Sequence, residues 1–356
     1  MNGEVPITLE RPRPSNPDEP AFLSAQVLPG RGMMTLQVTA HLPGRGETAL
    51  LDSPPPEEAQ AFFGGGRGDF AGNASYLVGG AILLPYANRI RGRLSADGKT
   101  VETEVLGRRF HLPANAGGRR AGAEQYSMHG LMLASPMDEV RRRTTDEEDG
   151  VLATLDAGDF GGRWPSSTEI EVENVLRSDS FTLKVTARNA GAERLPMGIG
   201  WHPYFVLPSG RRDQARLHLP ARRRTLVNDY DEVLPTGQVV SVGGTPYDFS
   251  SPYGKPLGDL YLDDCFVDLE TSGGQVVAEV IDPEASYGLR IVAASPPVRA
   301  IQVYGPPECQ LIVIEPQLNW ADPFGSQWGP EVDTGMAILK PGESVVYWAR
   351  LELFTP

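Results

Sequence analysis

The stretch Ile170-Glu171-Val172-Glu173-Asn174-Val175-Leu176, then Arg177-Ser178-Asp179-Ser180, then Phe181-Thr182-Leu183-Lys184-Val185-Thr186-Ala187 alternates apolar and polar residues on both sides of a polar tetrapeptide. Period two sends successive side chains to opposite faces of a strand, so this segment is a β-hairpin with one buried and one wetted face. A second hairpin joins Val276-Val277-Ala278-Glu279-Val280-Ile281 to Leu289-Arg290-Ile291-Val292 through Asp282-Pro283-Glu284. The runs Leu311-Ile312-Val313-Ile314 and Ser344-Val345-Val346-Tyr347-Trp348 have the length of buried strands.

Helical periodicity is nearly absent; the one candidate is residues 55–63, with Pro55 at its start and glycines after it. Glycine (40) and proline (32) make up about a fifth of the 356 residues, against roughly 12% in ordinary globular chains. A folded chain so rich in turn formers implies many short strands. The expectation is an all-β, large antiparallel multi-stranded β-sandwich with few short helices: a polar, proline-rich N-terminal arm over residues 1–20, then a single domain over 21–356.

Composition narrows the function. A net charge of −14 opposes nucleic-acid binding, because phosphate neutralisation needs a basic field. Arg141-Arg142-Arg143 precedes Asp146-Glu147-Glu148-Asp149 and reads as a solvated loop of mixed sign. Cys265 and Cys309 are too few for a disulfide framework and lack zinc spacing. The N-terminus has no apolar leader and no stretch reaches a membrane-spanning length, so a cytoplasmic location is expected. Gly98-Lys99-Thr100 has Arg93 where a phosphate loop needs glycine, and fits a hairpin turn at Asp97-Gly98. Residues 64–68 lack dinucleotide spacing, and Arg67-Gly68-Asp69 is a chance tripeptide.

The five histidines can be weighed one by one. His41, His111 and His218 lie in unexceptional contexts. His202 lies in Gly198-Ile199-Gly200-Trp201-His202-Pro203-Tyr204-Phe205, where proline fixes the chain and aromatics wall the imidazole. A packed histidine at a strand end is its ordinary alternative. His129 precedes Gly130, which permits close backbone approach. Glu315 ends an apolar run, in Ile314-Glu315-Pro316-Gln317-Leu318-Asn319-Trp320, and a buried carboxylate there is costly unless paired or used. Arg89, after Asn88, is placed where strand meets loop, with a surface ion pair as its alternative.

Together these residues resemble the aldose 1-epimerase (galactose mutarotase) family. The resemblance rests on Pro85-Tyr86-Ala87-Asn88-Arg89-Ile90, His129-Gly130, His202-Pro203-Tyr204-Phe205, Leu234-Pro235-Thr236-Gly237, Tyr247-Asp248-Phe249, Asp263-Asp264-Cys265-Phe266, Gln302-Val303-Tyr304 and Glu315-Pro316-Gln317, in that order. It implies a supersandwich fold with a sugar in an open cleft and no cofactor. His202 would protonate the ring oxygen as general acid, and Glu315 would take the anomeric hydroxyl proton as general base. Asn88, Arg89, His129, Asp263 and Gln317 would hold the sugar, Asp263 rather than Asp264 because it stands three residues before Phe266. The expected partner is a small neutral sugar, with no nucleic acid and no membrane, in a monomer or homodimer. Leu131, where a second glycine is usual after His129-Gly130, is expected to narrow the pocket or shift sugar preference. Gly92 is displaced from the family's position, with Arg91 and Arg93 around it.

Three other readings compete. A non-catalytic sugar-binding protein on the same fold leaves the pairing of His202 with Glu315 without purpose. A glycoside hydrolase using Glu315 and Asp263 leaves His202 unexplained. A hexose-6-phosphate epimerase would use Arg211, Arg212 and Arg222 to Arg224 on the phosphate.

Overall fold

A computed structural model describes residues 5–64 and 69–356; residues 1–4 and the glycine-rich residues 65–68 lie outside the described part. The diagnostic hairpin forms as the strands Thr168–Leu176 and Ser180–Asn189, with Val172 facing Val185 and Leu176 facing Phe181. The second pairs Gln275–Asp282 with Tyr287–Ala294, turning through Pro283–Ala285. Both belong to a nine-stranded antiparallel sheet in which Ser344–Phe354 is the central strand joining them.

A second, eleven-stranded sheet packs against the first. Its central order is Gly80–Leu83, Gly200–Val206, Leu311–Gln317, Ala300–Gly305 and Leu262–Leu269. Alternation decides which side chains fill the interior. Trp201, Phe205, Ile312 and Ile314 are fully buried and meet the nine-stranded sheet, with Phe181 and Trp201 ring centroids 6.2 Å apart. Each such side chain contributes about 1.5–3 kcal/mol of transfer free energy. His202, Tyr204, Val313 and Glu315 alternate with these residues and turn to the other face of the same sheet.

Among the described residues the only α-helix is Pro56–Phe62, within the span expected from sequence. The N-terminal reading needs correction. Ile7–Glu10 is not a surface arm outside the domain but an edge strand paired to Ala21–Leu28, with Leu9 fully buried. The proline-rich flank hid four residues whose register is set by tertiary pairing. Arg141, Arg142 and Arg143 also sit in a strand, Glu139–Thr144, exposed and paired with Glu139, Asp149 and Glu148. No helix among the described residues is long and apolar enough to cross a membrane.

Candidate active site

Register assembles the chemistry. Gly200 faces Gln317 and Tyr204 faces Val313, so His202 falls beside Glu315 between them. Glu315 in turn faces Gln302, and Gln302 faces Cys265. The neighbouring row along the strands runs from Tyr204 through Val313 and Tyr304 to Asp263. Onto this face a small three-stranded sheet (Arg89–Ile90, Ala116–Gly117 and Gln125–Met128) brings Asn88, Arg89 and His129.

His202 Nε2 lies 3.6 Å from Glu315 Oε2. Glu315 is completely buried, and neither of its carboxylate oxygens takes a hydrogen bond from the described residues. Burial drives the Glu315 carboxyl well above the usual range; Arg89 opposes this and Asp263 adds to it. Burial, with a smaller contribution from Arg89, lowers His202 to about 4 against an opposing backbone hydrogen bond. Both shifts favour the uncharged form of the group, so burial opposes an ion pair at this 3.6 Å contact and favours a pair that shares one proton.

Asn88, Arg89 and Asp263 join Gln302 in a closed ring of hydrogen bonds. Asn88 Nδ2 donates to Gln302 Oε1 (3.0 Å), and Gln302 Nε2 donates to Asp263 Oδ1 (2.6 Å). Arg89 Nη2 approaches Asp263 Oδ2 (3.4 Å), while its Nη1 donates to Asn88 Oδ1 (2.9 Å). Burial raises the Asp263 carboxyl, with Arg89 and Gln302 pulling it back down. The ring presets a guanidinium, two amides and a carboxylate in mutual orientation, the donor and acceptor mixture that matches sugar hydroxyls.

His129 packs edge-on against His202, ring centroids 4.9 Å apart, and against Tyr76 at 5.0 Å. Burial first, then His202 and Arg89, hold it well below 6.5, which favours the neutral imidazole. Its backbone is left-handed (φ 64°) and its N–H donates to the Asn88 carbonyl at 2.9 Å. Gly130 follows at φ 86°, and a β-carbon there would lie 2.2 Å from the Leu84 carbonyl oxygen. Gly130→Ala is therefore expected to cost about 3 kcal/mol or more, or to prevent folding, measured by urea unfolding. Gln317 is fully buried; its Nε2 approaches Cys265 Sγ at 3.7 Å and its Oε1 has no partner among the described residues.

The structure thus brings together all seven residues singled out from sequence. It adds Gln302, which had stood only as part of a motif; its pairing opposite Glu315 is invisible without the register. The choice of Asp263 over Asp264 has a structural counterpart. Asp264 turns to the opposite face, where Arg224 and the Tyr230 hydroxyl satisfy it. Leu131, half-buried, packs against the main hydrophobic core. The arginines weighed for a phosphate are engaged elsewhere. Arg211 pairs with Asp213 and Glu284, Arg222 with Glu270, and Arg224 with Asp264. Arg212 donates to the carbonyls of Gly258, Leu260 and Gly305, and Arg223 to that of Val239.

The chain is similar to known proteins in sequence and in fold. An uncharacterized protein of Escherichia coli, YphB, is 31% identical over 124 residues, 34% of this chain and 37% of that protein. Human galactose mutarotase is 28% identical over 187 residues, 51% of this chain and 49% of that protein. The chain therefore matches about half or less of the length of these curated relatives. A galactose mutarotase-like protein from Clostridium acetobutylicum shares the fold, with a TM-score of 0.72 at 16% identity over 94% of this chain and 93% of that one. The sequence profile described as aldose 1-epimerase matches residues 68–352, a span holding every residue of the site just described. By that match, and by the fold beneath it, the chain belongs to the aldose 1-epimerase family.

Proposed function

We propose that the protein interconverts the α and β anomers of a neutral hexose, with Glu315 as general base and His202 as general acid. The observation that carries this reading is the buried Glu315 carboxyl, with no hydrogen-bond partner among the described residues on either oxygen and 3.6 Å from His202 Nε2, beside the polar ring of Asn88, Arg89, Asp263 and Gln302. Anomer exchange needs a proton removed from the C1 hydroxyl and one added to the ring oxygen. The C1–O5 bond then breaks to give an aldehyde, the C1–C2 bond rotates, and the ring oxygen attacks the other face. On closure His202 recovers its proton from that oxygen and Glu315 returns its own to the carbonyl oxygen, so both groups are reset. Arg89, Asp263, Asn88, Gln302, His129 and Gln317 hold the sugar meanwhile.

The directions of the two shifts bear on rate: a base with a raised pKa and an acid with a lowered one gain driving force for proton transfer. Asp263 is committed to Arg89 and Gln302, which argues against its serving as the second carboxylate of a glycoside hydrolase. The engagement of Arg211, Arg212 and Arg222 to Arg224 favours a neutral sugar over a phosphorylated one.

The test is polarimetric. Purified protein should speed the relaxation of freshly dissolved α-glucose or α-galactose, with the rate unchanged by chelator. Sugar binding in calorimetry with no acceleration would instead favour a sensor, and a rate lost on chelation and restored by metal would overturn the proton-transfer mechanism.

A further inference from the structure

The segment bearing Glu315 continues past the base as Glu315-Pro316-Gln317-Leu318-Asn319-Trp320-Ala321-Asp322. Two of its side chains grip the backbone on either side of Asn88 and Arg89. Asn319, fully buried, accepts the Ala87 N–H at 3.0 Å and donates to the Ala87 carbonyl at 2.9 Å. Gly198 makes room for it, since a β-carbon there would lie 2.0 Å from Asn319 Oδ1. The Asp322 N–H donates to the Arg89 carbonyl at 2.6 Å, and Asp322 Oδ1 accepts the Arg91 N–H at 2.9 Å. Asp322 Oδ2 accepts from Gln327 Nε2 at 3.0 Å, which fixes the carboxylate itself.

What these contacts hold is a turn in which Asn88 has φ 62° and Asp322 φ 49°, left-handed conformations that asparagine and aspartate take up more readily than other non-glycine residues and that local hydrogen bonds stabilise. Released, the loop would relax and the Arg89 fork would lose its aim. We propose that Asn319 and Asp322 are positioning residues that clamp the sugar-binding pair Asn88 and Arg89 and tie it to the base Glu315 through one continuous segment. The inference rests on the mutarotase reading for what Arg89 holds. It adds that base and sugar-binding loop move as one unit, so their relative placement is set by backbone rather than by long flexible side chains.

A four-membered cycle tests it: wild type, Asp322→Ala, Arg89→Ala and the double variant, with Asp322→Asn as the conservative control. Asp322→Ala should lower kcat/KM roughly 10-fold, chiefly through KM, because the half-buried Arg91 N–H loses its acceptor and the Arg89 guanidinium its position. Asp322→Asn should recover activity to within about 3-fold, since its amide oxygen still accepts the Arg91 N–H and Gln327 can turn its own amide to match. In the Arg89→Ala background the same Asp322→Ala change should cost less than about 2-fold, because the side chain it positioned is gone. Losses that simply multiply would overturn the clamp, as would an unchanged KM with only a lower Tm. If Asp322→Ala does not fold, Asp322→Ser, small and too short to reach the Arg91 N–H, takes its place in the cycle. Absence of turnover in the wild type would sink the mutarotase reading but not the clamp; the same cycle is then read as sugar affinity by calorimetry.

Discussion

Glu315→Gln is expected to lower kcat for mutarotation by roughly 10²–10⁴-fold while sugar affinity changes little. Glutamine keeps the size and hydrogen-bonding reach of the side chain but cannot take the anomeric proton. The loss should therefore fall on the chemical step, read by polarimetry, while calorimetry reads binding. Retention of near-full turnover would make Glu315 a structural carboxyl and end the central assignment. The same substitution should raise stability, and the sign follows from the direction of the shift. The folded carboxyl holds its proton to higher pH than the unfolded one, whose value is near 4.5. Its contribution is full below about 4.5 and is lost as pH rises toward the folded value. Glutamine has no such loss, so the variant's Tm advantage should be small at pH 4 and grow to about 2 °C or more by pH 8. A more stable but inactive variant is what a buried, unpartnered functional carboxyl predicts.

His202→Asn is expected to remove about 10²–10⁴ of the activity and to change the shape of its pH dependence. In the wild type the one-proton state of the His202 and Glu315 pair sets the active range. kcat/KM should fall on the acid side as His202 takes a second proton near 4, and on the alkaline side as Glu315 finally loses its own. With asparagine at 202 only Glu315 titrates, and residual activity should rise with pH and then stay level. An alkaline fall that persists in this variant would assign the acid to another group, with His129 the first to test, since it packs directly on the His202 ring. Stability follows the opposite sign to Glu315. The folded imidazole resists protonation down to about 4 against an ordinary 6.5, so its contribution is present above 6.5 and lost as pH falls through 4. The asparagine variant should lose less stability than wild type between those values, measured by thermal unfolding at a series of pH values.

Much of this was legible in one chain because period two is a local property. Ile170 to Ala187 could be read as a hairpin from alternation alone, and the strand after Ile199 likewise separates Trp201 and Phe205 from His202 and Tyr204. The same alternation is why Asp263 and Asp264, adjacent in sequence, have unrelated surroundings. Ile7 to Glu10 shows the limit: four residues beside a proline-rich stretch carry too little pattern to announce an edge strand, and only pairing with Ala21–Leu28 orders them.

The sequence by itself determined the β architecture, since composition and alternation are local or countable, and its motif order carried the family resemblance from which the proposed acid, base and sugar-holding side chains were drawn. Tertiary structure alone decided who meets whom. The register that sets Gln302 opposite Glu315, the ring through Asn88, Gln302, Asp263 and Arg89, and the grip of Asn319 and Asp322 on residues more than two hundred positions away are non-local. So are the protonation states, because the shifts of Glu315 and His202 come first from burial, which no residue carries on its own and only the packed chain creates.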